Sequence, residues 1–150
     1  MRIVPRGGLR LVGIFSILVS LLTLVSPTAA PKKEDVKRRL RSLETIHVEG
    51  TGRAAEYASR HLMRETCLKR AISEGEADAI LEIWQRPAPC RGALSRICLE
   101  VSMKLVDQET KKVLFYRTES EFGSAFSLNV DEAAGKWVLW NLNGACCKGR

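Results

Sequence analysis

Two residues of this chain are spaced to act on each other as acid and base. His61 and Glu65 lie four apart in a run of strong helix formers, so on a helix their side chains share a face and can touch. Acid–base catalysis asks for more: a nucleophile, or a third group that orients the base, has to stand beside the pair. Neither is identifiable near these positions. The pair therefore reads as a local hydrogen bond at the margin of a core, and a small periplasmic enzyme using His61 and Glu65 is the minor alternative. His47 falls on the polar side of a short alternating stretch with no second ligand spaced to meet it, which makes it a solvated surface residue rather than a metal ligand. No cofactor or metal is expected.

The five cysteines, Cys67, Cys90, Cys98, Cys146 and Cys147, are the other reactive set. A redox enzyme more typically carries Cys-x-x-Cys at a helix start, where the dipole lowers the thiol pKa; that spacing is absent. The adjacent pair Cys146-Cys147 lacks the separation of zinc-ligand pairs. Structural disulfides are the remaining reading. Cys90 and Cys98 bracket a loop between two strands and pair first, worth about 2–3 kcal/mol for so short a loop. Cys67 pairs with Cys146 or Cys147, and the thiol left over could join two chains covalently.

The elements that hold these residues begin with a leader. Residues 1–30 show the three parts of an export signal: Arg2, Arg6 and Arg10, then the apolar run Leu11–Val25, then the small-residue tail ending at Ala29 and Ala30. That run is short for a membrane span and suits a signal core. Pro31 directly follows and hinders cleavage after Ala30, so an uncleaved anchor in the inner membrane stays open. No cysteine lies near the cleavage region, and lipid attachment is not expected. The expected location is periplasmic or extracellular, where disulfides form.

The net charge of +7 sits almost wholly in this end of the chain. The leader contributes three arginines and no acid, and Pro31–Arg41 contributes six basic residues against Glu34 and Asp35. From Ser42 onward fifteen basic residues balance fifteen acidic ones. Such a neutral body lacks the basic face that nucleic acid requires. Residues 31–42 read as a solvated basic linker, and residues 1–41 as a region that anionic lipid headgroups could attract.

Thr45–Gly50 alternates as a short strand before the breakers Gly50 and Gly52. Ala54–Ser73 has no internal Gly or Pro and predicts a helix, with Ala54, Ala58, Leu68 and Ile72 on its apolar side. Ala79–Gln85 predicts a strand whose Ala79, Leu81 and Ile83 share one face and whose Ile80, Glu82 and Trp84 share the other. Two prolines and a glycine make Arg86–Gly92 a loop. Ile97–Thr118 is a hairpin around Asp107-Gln108-Glu109-Thr110, with Ile97, Leu99, Val101, Met103 and Leu105 inward and Cys98, Glu100, Ser102 and Lys104 outward. After a ragged end at Glu119–Ser124, Asn129 with Glu132 three residues on caps a helix over Val130–Asn143, which buries Trp137 and Trp140 on the sheet.

The order of elements, together with Glu76-Ala77-Asp78-Ala79-Ile80-Leu81-Glu82-Ile83, Val101-Ser102-Met103-Lys104-Leu105-Val106-Asp107 and Thr110-Lys111-Lys112-Val113-Leu114-Phe115, resembles small bacterial envelope domains of the CsgG-like, LpoB-like and TolB amino-terminal types and related families of unknown function. The resemblance implies a periplasmic adaptor or assembly component with no catalytic residues to carry over. The chain departs from it in having Phe115 where Trp is frequent and in its many cysteines.

These readings combine into an α+β domain at 43–147, ordered β-α-β-β-β-α, with a mostly antiparallel sheet of three to four strands and two helices packed on one face. The first strand is expected beside the hairpin. The expected function is a non-enzymatic, exported envelope protein that binds an unidentified envelope partner through a sheet edge or the free face, where Glu100, Ser102 and Lys104 stand. A membrane-tethered assembly factor with an uncleaved signal is the alternative.

Overall fold

The computed structural model describes residues 32–90, 98–123 and 129–149. The leader 1–30, Ile97 at the head of the hairpin, Arg91 and Gly92 of the proline-rich loop, and Ser124 lie outside them. The described elements are α1 (Lys33–Ser42), β1 (Thr45–Gly50), α2 (Arg53–Glu65), β2 (Lys69–Arg70), β3 (Ala79–Ala88), β4 (Cys98–Asp107), β5 (Val113–Gly123) and α3 (Val130–Cys146). They form one compact unit over Pro31–Arg150. Among the described residues no helix is long and apolar enough to cross a membrane.

The fold is α+β, as the patterning predicts, on a sheet ordered β2-β1-β3-β4-β5. β3, β4 and β5 are antiparallel, while β1 runs parallel to both β2 and β3. Because α2 carries the chain across the sheet between β1 and β3, β1 lies beside β3 and not beside the hairpin as expected. The fifth strand, β2, comes from residues assigned to a longer helix. α2 stops at Glu65, where Thr66 turns extended and its hydroxyl donates to the Leu62 carbonyl at 2.7 Å. Lys69 N–H then donates to the Glu44 carbonyl and Ala71 N–H to that of Ile46. Pairing with the β1 edge overrides helix propensity here, and Ile72, expected inward, is exposed.

β3 also outruns its predicted end and pairs through Pro87 and Ala88 with Leu99 and Cys98. β1 leaves β3 at Ile83, so one edge of β3 is open beyond that point and a proline is accommodated there. β5 likewise continues to Gly123, through the residues read as a ragged end.

β4 shows the predicted alternation without interruption from Leu99 to Asp107. Its Val101, Met103 and Leu105 meet Leu81 and Ile83 of β3 in one cluster with Leu40 of α1, Ala54, Ala58 and Leu62 of α2, and Val138, Leu139 and Leu142 of α3. Three helices, one more than predicted, thus cover one sheet face. Burying each such large side chain contributes about 1.5–3 kcal/mol. α2 and α3 cross closely because Gly135 leaves room for Tyr57, whose ring would stand 2.6 Å from any Cβ at that position.

The added helix is α1, in the segment expected to be a solvated linker. Its Leu40 enters the core, and Arg39 Nε donates to Asp107 Oδ1 at 2.6 Å. Asp107, at the end of β4, is buried with 1% exposure and also accepts from the hydroxyl and N–H of Thr110. Burial alone pushes its carboxyl up, but the bonds from Thr110 and Arg39 outweigh it and hold the group below its ordinary value. Asp78, just ahead of β3 at the same end of the sheet, accepts from Glu44 N–H, Thr45 N–H and the Thr45 hydroxyl. Burial again opposes these bonds and again loses.

Both aspartates have folded pKa values below their unfolded ones, so their stabilisation is complete above the ordinary value of 3.8 and is lost as pH falls through the folded values. Urea unfolding at neutral pH and near pH 3 should therefore show a marked loss on acidification. Arg39→Ala should cost about 3 kcal/mol at neutral pH, because it strands a buried charge. The variant's further loss on acidification should be shallower, since the folded Asp107 pKa rises. Gly50 has φ +149°, and a Cβ there would lie 2.2 Å from the Ile83 carbonyl oxygen. Gly50→Ala should consequently lower stability by about 3 kcal/mol or more in the same assay.

Candidate functional site

The sheet face opposite the helices gathers the outward residues of three strands. The register sets Trp84, Ser102 and Thr118 in one row, and Glu82, Lys104 and Tyr116 in the next. Arg86 stands opposite Glu100. Adjacent strands lie about 4.8 Å apart, so the rings of Trp84 on β3 and Tyr116 on β5 rise on either side of small Ser102. They enclose a recess of about 290 Å³ lined by Trp84, Arg86, Glu100, Ser102 and Tyr116. Trp84 is 44% and Tyr116 58% exposed.

The charges around this recess neutralise one another. Arg86 Nη2 lies 2.6 Å from Glu100 Oε1, and Lys104 Nζ lies 2.7 Å from Glu82 Oε2. Lys104 also stands 5.2 Å above the Trp84 ring, a cation–π arrangement. The hydroxyls of Ser102 and Thr118 are 2.9 Å apart, as are those of Thr118 and Tyr116. Hydrogen bonding with Thr118, then with Ser102, draws the Tyr116 phenol below its ordinary pKa. The face continues onto β1, where Glu49 is raised by its hydrogen bond with Glu74 and by burial. Two aromatic faces, paired charges and a hydroxyl chain equip the recess to bind, with the Glu100 carboxylate taken up by Arg86 and the Ser102 hydroxyl by Thr118.

Of the residues singled out from the sequence, Glu100, Ser102 and Lys104 stand together on this face. Trp84, Arg86 and Tyr116 complete it and are not among the candidate interaction residues that the sequence pattern singles out. The alternation of Ala79–Gln85 already put Trp84 on the outward side, but Tyr116 needs the strand register.

His61 and Glu65 are both on α2, yet each meets Tyr57 instead of the other. His61 stacks on the Tyr57 ring at 4.2 Å, and Glu65 accepts from the Tyr57 hydroxyl at 3.1 Å. Burial, followed by Glu65, raises the Tyr57 pKa and keeps the phenol protonated. A shallow polar recess of about 160 Å³ borders His61, and α3 adds Asp131 and Glu132 to it. Its charges are taken up in pairs, Arg60 with Glu56, Arg53 with Asp131 at 3.9 Å, and Lys136 with Glu132 at 2.7 Å. His47, expected in solvent, is half-buried, with Nδ1 3.3 Å from the Ala71 carbonyl and Nε2 3.8 Å from Glu49.

Both expected disulfides form, Cys90–Cys98 and Cys67–Cys147. Helical rotation selects Cys147 over its neighbour. Cys146 continues the inward row of Leu139 and Leu142 and is fully buried, while one further step turns Cys147 toward α2. The cysteine outside the two disulfides is thus Cys146, whose side chain is buried. Trp140, expected in the core, is 74% exposed. It sits a 100° step away from Leu139, outside the inward stripe, whereas Trp137 packs edge-on against Phe122. Asn129 caps α3 as predicted, accepting from Glu132 N–H at 3.1 Å.

No family model matches this chain, and no curated protein matches it. Among solved structures it is similar to a PelC dodecamer from Paraburkholderia phytofirmans, at 14% identity over 69% of this chain and 90% of that one, with a TM-score of 0.50. Two further matches are an uncharacterized lipoprotein B from Nitrosomonas europaea (14% identity, 67% and 74% coverage, TM-score 0.39) and a putative lipoprotein from Caulobacter crescentus (17%, 73% and 93%, TM-score 0.38). At such identity the PelC match shows a shared fold alone. The resemblance to CsgG-like, LpoB-like and TolB amino-terminal domains gains no support from these matches.

Cysteine accessibility separates the buried thiol of Cys146 from the two disulfides. Maleimide labelling of the unreduced folded chain should give no adduct, unfolding without reduction should add one, at Cys146, and reduction with unfolding should add five. Intact mass reads each state.

Proposed function

We propose that this chain is an exported bacterial envelope protein that works as a non-enzymatic binding or assembly module, and that its working surface is the recess between Trp84 and Tyr116. The observation that carries this reading is a formed recess with aromatic walls and internally paired charges. Binding sites of this type combine apolar contact with a few fixed polar groups. The leader-like residues 1–30 and the two disulfides support export, since disulfides persist in oxidising compartments.

A second reading has a specific motive in Pro31, which follows Ala30 and hinders cleavage there. It keeps the leader as an inner-membrane anchor and makes the chain a tethered assembly factor. The mass of the mature amino terminus separates the two.

A photo-crosslinking residue at Ser102, compared with one at exposed Met63 on α2, tests the working surface in the envelope of the native cell. Ser102 should give a discrete adduct that Trp84→Ala or Tyr116→Ala reduces at least tenfold without changing the unfolding midpoint; about 1.4 kcal/mol of binding corresponds to that factor. Absence of any adduct, or the same adduct from Met63, would overturn the reading.

A further inference from the structure

We infer that a second surface, built by α1, β5 and the end of α3, docks on an anionic lipid bilayer. The charge excess of the chain lies ahead of Ser42, and the part of it that falls in α1 is folded onto the domain. Leu40 and the Arg39–Asp107 pair fix α1 in place, which leaves Lys33, Lys37, Arg38 and Arg41 exposed on a rigid helix. α1 packs against α3 and β5. Between those two elements runs a groove of about 300 Å³, bordered among the described residues by Phe115, Arg117, Trp140, Asn141 and Lys148 and by no acidic side chain.

Trp140, three-quarters exposed, is the largest apolar side chain on this surface, and Arg117 stands 5.7 Å above the Phe115 ring. A tryptophan flanked by basic residues suits the headgroup region of a bilayer, because the indole is apolar over most of its area and carries one hydrogen-bond donor. Each Lys or Arg brought near an anionic leaflet strengthens binding about fivefold. The opposing charges described on α1, β5 and the neighbouring turn are Glu34, Asp35, which lies 4.0 Å from Arg38, Glu109, which lies 3.9 Å from Arg39, and Glu119, exposed on β5 two residues beyond Arg117. Chain order points to the same occupant, since the apolar run Leu11–Val25 ends shortly before α1. This surface lies on the helix-bearing side of the sheet, and its role does not depend on what fills the recess at Trp84.

Residues 31–150 contain the whole described core and serve as the test protein, so that the leader adds no membrane affinity. Co-sedimentation with vesicles of mixed phosphatidylglycerol and phosphatidylcholine should exceed that with phosphatidylcholine alone by about tenfold or more, and should fall as salt rises. The double variant Lys33→Glu with Lys37→Glu, and separately Trp140→Ala, should each lower binding several-fold with an unchanged unfolding midpoint. Trp84→Ala should bind vesicles as the parent does. Equal binding to both vesicle types, no binding to either, or loss of binding in Trp84→Ala instead of Trp140→Ala would overturn the proposal.

Discussion

Two carboxylates at one end of the sheet decide how this chain closes. Asp107 ends β4 and Asp78 stands just ahead of β3, and hydrogen bonds hold both carboxylates. Asp78 holds Glu44 and Thr45 at the entry to β1 through two N–H groups and a hydroxyl, while Asp107 organises the β4–β5 turn and receives Arg39 from α1. A buried carboxylate without such donors costs several kcal/mol, so the hairpin turn and the first helix are bound to each other by necessity. The same group that shapes a local turn also recruits an element 68 residues away.

That coupling explains what the sequence conceals. In isolation, residues 33–42 show many charges and a narrow apolar stripe, and a helix of that composition gains little by itself. Its order comes from Leu40 and Arg39 meeting partners supplied by other elements, and no local pattern reports them. β4 is the opposite case. Its alternation fixes which side chains face the helices, because a slip of one residue would expose the whole inward row. The early end of α2 belongs with α1: Lys69 and Arg70 follow good helix formers, but the open edge of β1 offers backbone partners that propensity does not weigh.

The open face was half legible for a related reason. Glu100, Ser102 and Lys104 follow from one strand's alternation, whereas the recess arises only when three strands are placed side by side. β5 adds a further difficulty, since its pairing with β4 shifts between Leu105 and Val106 and again between Leu99 and Val101. Each irregularity changes which residues point outward. Alternation read straight along β5 cannot be carried through either one. Trp140 illustrates the limit for helices: residues near an apolar stripe read as core, but a step of 100° decides between contact and exposure.

The bond between Cys67 and Cys147 spans 80 residues of sequence, and the loop it closes contains β2, β3, β4, β5 and α3. Only α1, β1 and α2 lie ahead of it. For a chain that emerges amino terminus first, this bond acts as a late latch. Cys67 becomes available early and waits for a partner that arrives only after every strand has passed, with Cys90 and Cys98 emerging in between. A premature bond between Cys67 and either of those two would tie α2 to the β3–β4 connection and block closure of the sheet. The order in which the thiols meet thus becomes a biosynthetic demand on the compartment, which has to permit exchange until residue 147 has arrived.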